Sequence, residues 1–136
     1  MYDYNRLKTM NILFIDDNDD LVDSIRLGFG AKGVPLTGVS SAEEAIDLMK
    51  KQIFDIIISD YKMPGIDGLE FLRRVKDLPN RPIRILISGF GNNEVVRQAR
   101  DAGIDTFISK PFKDKTLEDA LLHLLEEREF ANYIIL

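Results

Sequence analysis

The sequence predicts an α/β fold, a parallel five-stranded sheet with helices on both faces, and three observations carry that prediction. Five short apolar, β-branched runs recur along the chain, with the length of strands buried on both sides. Stretches with apolar residues three and four apart separate them, as in amphipathic helices. Polar or charged residues close each of the five runs. Regular alternation of this kind means parallel strands joined by right-handed crossovers, so the carboxyl ends of all the strands open on one edge.

Asn11 to Ile15 is the first strand and ends in Asp16-Asp17. From Asp19 the spacing turns helical through Leu21, Val22, Ile25 and Phe29, with glycines at 28, 30 and 33 expected to close the helix. Val34 to Val39 is the second strand. Ser40 and Ser41 offer N-caps, Glu44 completes a capping box with Ser41, and Ala45, Ile46, Leu48, Met49 and Ile53 give the second helix. The third strand, Asp55 to Ser59, stops at Asp60 before a Pro-Gly turn. Leu69, Leu72 and Val75 form a third helical stripe, expected to be stopped by Pro79, because proline disfavours helix at the residue before it.

Ile83 to Ile87 is the fourth strand and leads into Ser88-Gly89. Val95, Val96, Ala99 and Ala102 make the fourth helix, with Gly103 at its C-terminal cap. Asp105 to Ser109 is the fifth strand, broken by Lys110-Pro111, and Leu117, Ala120, Leu121, Leu124 and Leu125 define the fifth helix. His123 falls about 240° around that helix from Leu117 and reads as a surface residue. Leu122 and Tyr133 also fall off the leucine stripe and read as exposed apolar groups, a candidate partner surface.

Composition narrows the function classes. With 136 residues, 45% hydrophobic and 30% charged, the chain suits one domain with a real core. A net charge of -5 and a pI near 4.9 argue against direct nucleic-acid binding or an anionic membrane surface. The lack of cysteine excludes disulfides and thiolate chemistry. The first ten residues are polar, and no run approaches the roughly 18 apolar residues of a membrane span, so a cytoplasmic protein is expected.

Asp16, Asp17, Asp60, Ser88 and Lys110 are scattered in sequence yet each lies at or just past the carboxyl end of a strand, the edge where open α/β sheets bind ligands. Carboxylates brought together repel, so a proton or a cation must neutralise them. Magnesium, or manganese in its place, prefers oxygen donors and is commonly held by one or two carboxylates plus phosphate oxygens. A lysine point charge and a serine hydroxyl beside such a site describe phosphoryl transfer, in which an aspartate can itself be the nucleophile.

With these residues in place, nearly the whole chain resembles the receiver domain of bacterial two-component response regulators. The matching pieces are Asp16-Asp17, the run Asp60-Tyr61-Lys62-Met63-Pro64-Gly65-Ile66-Asp67-Gly68, Ser88-Gly89, and Ala102-Gly103, Phe107 and Lys110-Pro111 within the stretch from Ala99. The resemblance implies a flavodoxin-like doubly wound fold with strand order 2-1-3-4-5. By that resemblance Asp60 accepts a phosphoryl group from a sensor histidine kinase or phosphotransfer protein. Asp17 would bind the metal directly, Asp16 through water, Asp60 as acceptor and ligand, and Lys62 through its backbone carbonyl. Ser88, the backbone N–H of Gly89 and Lys110 would hold the phosphoryl oxygens, with Ser88 and Phe107 as switch residues. The surface of the fourth helix, fifth strand and fifth helix would be read by an output domain or partner.

Some positions depart from the family's habit. Phe107 stands where tyrosine is frequent and has no hydroxyl, so packing alone would drive its rotation. Lys62 and Phe90 occupy the two positions that tune phosphate lifetime in the family; Phe90 cannot orient water by hydrogen bonding, which implies slow self-dephosphorylation. Residues 1–128 are read as the receiver domain. The apolar end, 129–136, is read as an extension of the fifth helix or the start of a linker, with a homodimer contact, a lead into an output domain and a fold-back all open. Two rivals remain: a phosphohydrolase of the haloacid-dehalogenase type with Asp17 as nucleophile, and a degenerate receiver acting as a constitutive interaction module.

Overall fold

Successive side chains of a strand point to opposite faces, so apolar runs buried on both sides must feed two separate cores. The computed structural model, which describes the backbone of residues 4–89 and 92–135 and the side chains as far as residue 131, has that arrangement. Its elements are α1 (Tyr4–Lys8), β1 (Ile12–Ile15), α2 (Asp19–Ala31), β2 (Leu36–Val39), α3 (Ala42–Met49), β3 (Ile56–Asp60), α4 (Gly68–Arg74), β4 (Ile83–Gly89), α5 (Asn93–Asp101), β5 (Thr106–Lys110) and α6 (Asp114–Ile135). The strands form one parallel sheet in the order β2-β1-β3-β4-β5, as expected. Because α1 precedes β1, the five expected helices are α2 to α6.

Ile12, Phe14, Ile56, Ile58, Ile83, Ile85 and Ile87 point to one face, where α1, α2 and α6 close over them with Leu7, Phe29, Leu117 and Leu121. Leu13, Ile15, Ile57 and Leu86 point to the other, covered by α3, α4 and α5 with Ala45, Phe71, Leu72, Val95 and Ala99. Fully burying each such side chain contributes about 1.5–3 kcal/mol, which is what holds the short strands in place. Capping sets where the helices begin: Asn18, Ser41 and Asp67 accept from the backbone N–H groups of Leu21, Glu44 and Glu70.

Several expectations are corrected. The polar start contains α1, whose Leu7 is fully buried and whose Arg6 pairs with Glu129 on α6. Leu122 is buried in the first core rather than exposed, because α6 lies against α1 and α2 as well as the sheet and its covered arc is wider than one leucine stripe. Ile53 lies outside α3 and is 68% exposed, since the chain turns out of the helix at Lys50. Gly28 and Gly30 lie inside α2; only Gly33, at φ +80°, ends it, in a turn where Gly33 donates to Gly30 and Val34 to Phe29. α4 already stops at Arg74, ahead of Pro79. His123 is exposed as expected and pairs with Glu127. Tyr133 and the rest of the apolar end lie outside the described side chains.

Candidate functional site

Register alone brings the carboxylates together. Ile15 of β1 pairs with Ser59 of β3, so the next step along both strands places Asp16 beside Asp60. Asp16 is fully buried and Asp60 is 6% exposed, whereas Asp17, one residue further out, is exposed. Carboxylate oxygens of the three lie within 4.8 Å of one another. On the other side of β3, Asp60 pairs with Ile87, Ser88 with Ser109 and Gly89 with Lys110, which aligns the ends of β3, β4 and β5. The Lys110 chain reaches back across this edge: its Nζ lies 2.7 Å from Asp16 Oδ2 and 3.3 Å from Asp60 Oδ1. The Lys110–Pro111 peptide bond is cis.

Backbone contacts fix these groups. Asp16 Oδ1 accepts from the Asn18 N–H at 2.9 Å, so the turn into α2 orients the carboxylate. Gly68, the first residue of α4, donates its N–H to the Tyr61 carbonyl at 2.8 Å. A Cβ at Gly68 would stand 2.0 Å from the Asp60 carbonyl oxygen, so the helix end can seat against the strand end only without a side chain. Glu43 of α3 accepts from the Ile66 N–H at 3.4 Å and tethers the loop that follows Asp60.

The electrostatics are unbalanced. At an effective dielectric of about 20, unit charges 4 Å apart interact by about 4 kcal/mol, so one ammonium does not neutralise three carboxylates. Burial, followed by the charge of Asp16, pushes the Asp60 carboxyl above its ordinary range, and Lys110 only partly opposes this. Burial would push the Lys110 ammonium down, but its bond to and attraction by Asp16, with Asp60 adding to them, leave it raised. Such a cluster favours a hard divalent cation. Three oxygen donors at one mouth, one of them exposed, fit magnesium or manganese, which keep several waters.

Ser88 is buried and its Oγ accepts from Asn92 Nδ2 at 3.4 Å. Gly89 is the last residue of β4. Lys62 is exposed in the turn two residues past Asp60. Phe107 is half-buried against the second core and lines a groove of about 390 Å³ with Val96, Ala99 and Ile104. Phe90 lies outside the described residues. Gly68, Glu43 and Asn92 had no role assigned from sequence. Gly68 stands inside the quoted motif, but nothing in its spacing reveals a close backbone approach.

Residues 12–122 match the model of the response regulator receiver domain family. The chain is 34% identical over 120 residues to the hydrogenase transcriptional regulatory protein HoxA of Cupriavidus necator, covering 88% of this chain and 25% of that protein. It is 26% identical over 110 residues to sporulation initiation phosphotransferase F of Bacillus subtilis, covering 81% of this chain and 89% of that one. It thus spans about a quarter of the larger regulator and most of the smaller one. In fold it superimposes on a CheY-like receiver domain protein from Methanospirillum hungatei with a TM-score of 0.82, at 24% identity, over 90% of this chain and 98% of that one. The site geometry, the sheet order and these matches agree, and the chain belongs to the response regulator receiver domain family.

Proposed function

We propose that this receiver is a phosphorylation-dependent signalling switch whose acceptor is Asp60. The observation that carries this reading is the placement of Asp60, a buried carboxylate at the end of β3 with Asp16 beside it and Lys110 Nζ 3.3 Å away. An ionised Asp60 oxygen attacks the phosphorus of a phosphohistidine on a sensor kinase or phosphotransfer protein, and the phosphorus–nitrogen bond breaks as the phosphorus–oxygen bond forms. Lys110, the Ser88 hydroxyl and the Gly89 N–H receive the phosphoryl oxygens. Asp16, Asp17, Asp60 and the Lys62 carbonyl would hold a magnesium or manganese ion, which offsets charge on the transferred group when bound.

Drawing Ser88 toward a phosphoryl group vacates space beside β5, and Phe107 turns inward by packing alone. The surface of α5, β5 and α6 is then read by an output domain or partner protein, or joined in a homodimer. The change shifts a pre-existing equilibrium, so the unphosphorylated chain binds the same partner more weakly. Phe90 and Lys62 make self-dephosphorylation slow, with a lifetime beyond a minute. A cytoplasmic setting is part of the proposal, and no helix among the described residues is long and apolar enough to cross a membrane.

Beryllofluoride with magnesium tests the switch by NMR: shifts are expected around Asp60 and across α5, β5 and α6, and Asp60→Asn should abolish them. No response in the wild-type protein would favour the constitutive interaction module. A phosphate lifetime below a minute would count against slow self-dephosphorylation alone.

A further inference from the structure

The fourth strand reads Ile83-Arg84-Ile85-Leu86-Ile87, an apolar run with a guanidinium in it. Arg84 is 6% exposed and pairs in register with Ile57, on the sheet face covered by α3, α4 and α5. A buried guanidinium is tolerated only when its donors are taken. Arg84 Nη1 donates to the Leu72 carbonyl of α4 at 2.8 Å. Nη2 donates to the Gly103 carbonyl at 2.8 Å and to Ala102 at 3.4 Å, just past the end of α5.

These carbonyls are the ones the helices leave over. α4 stops at Arg74 and the Lys76 N–H turns to Arg73, so Leu72 needs a donor from elsewhere. α5 ends in a turn in which Gly103, at φ +72°, donates to Arg100 and Ile104 donates to Ala99. A cation placed between two helix C-termini also meets the negative ends of both dipoles. The anchorage extends to β5 and α6: Asp105 Oδ2 accepts from the Arg84 N–H at 2.8 Å, and Asp105 Oδ1 lies 3.8 Å from Arg128.

The other end of α5 is held differently. Its N-cap, Asn92, makes no side-chain capping bond, and its amide instead reaches the Ser88 hydroxyl at 3.4 Å. One end of α5 is therefore clamped to the strand, and the other touches the hydroxyl expected to move. We infer that Arg84 is a positioning residue, a pin joining the C-terminal ends of α4 and α5 to β4, about which the N-terminal end of α5 swings when Ser88 moves. The swing rests on the proposed switch function; the pin itself does not.

Hydrogen exchange on the full chain, with and without beryllofluoride and magnesium, tests both. Three proteins are compared: wild type, Arg84→Met, which keeps length without donors, and Arg84→Lys, whose shorter chain ends in one nitrogen in place of the two that reach the two helix ends. In wild type, activation should alter amides of residues 92–97 and leave 99–104 unchanged. In Arg84→Met, amides at 72–76 and 99–104 should exchange about tenfold faster before activation, with β1 and β3 unaffected, and activation should then disturb all of α5. Arg84→Lys should protect one helix end and not both, and it decides the matter if Arg84→Met does not fold. Unchanged exchange at both ends, or a uniform loss that includes β1 and β3, would overturn the pin. Equal response of 92–97 and 99–104 in wild type would overturn the swing. No response of wild type to beryllofluoride would defeat the switch, while the unactivated comparison would still decide the pin.

Discussion

At the carboxyl edge of the sheet, Asp16 and Asp60 share one ammonium within 3.3 Å, whereas near the amino edge the Arg84 guanidinium donates to three backbone carbonyls. Both regions bury charge, and both lie within one sheet. The difference is that the second meets carbonyl acceptors held by two helix ends, whereas the first is short of positive charge. A matched buried charge fixes geometry; an unmatched one binds whatever supplies the missing charge. The receiver thus has a reactive edge and an anchoring edge, and substitutions at either should blur that contrast.

Asp60→Asn should have the largest effect, removing the proposed acceptor so that labelling by acetyl phosphate falls by at least about a hundredfold. The same change should raise the urea midpoint at neutral pH. Because burial and Asp16 raise the Asp60 pKa in the folded chain, its favourable contribution is present when it is protonated at low pH and is lost as pH rises through that value. Lys110→Met withdraws the counter-charge, and labelling should slow by roughly tenfold to a hundredfold in a rate assay with acetyl phosphate.

Gly68→Ala should destabilise by about 1–3 kcal/mol in urea unfolding, since the added carbon meets backbone and not a flexible side chain. Asp16→Asn removes a neighbouring negative charge, so the acid limb of the labelling rate should move to lower pH. In the wild-type protein that limb should sit above the ordinary carboxylate range. The smallest effect belongs to an exposed pair on the first turns of α5: Glu94→Gln, which weakens the contact with Arg97, should change stability by less than about 0.5 kcal/mol.

The reactive edge was far more legible in the sequence than the anchoring one. Asp16, Asp60, Ser88 and Lys110 each follow an apolar run, and parallel topology forces such residues to one side whatever the loops do. Arg84 carries no such signal. One charge inside an apolar strand does not say which carbonyls it meets, because those belong to helix ends twelve and nineteen residues away in sequence. Leu122 failed for a related reason: an angular reading of one helix assumes a single covering surface, and α1 supplies a second. α1 was missed because five residues give too short a window for periodicity. Gly28 and Gly30 look like stops in the sequence, yet α2 carries them through at roughly 1 kcal/mol each, with its packing on β2 and α6 holding the helix.

The most direct test of the central claim is to incubate the protein with acetyl phosphate and magnesium, reduce the acyl phosphate with borohydride, and locate the modified residue by peptide mass spectrometry. One modified residue, Asp60, is expected, with none in Asp60→Asn. Modification at Asp17, or none at any aspartate, would contradict it.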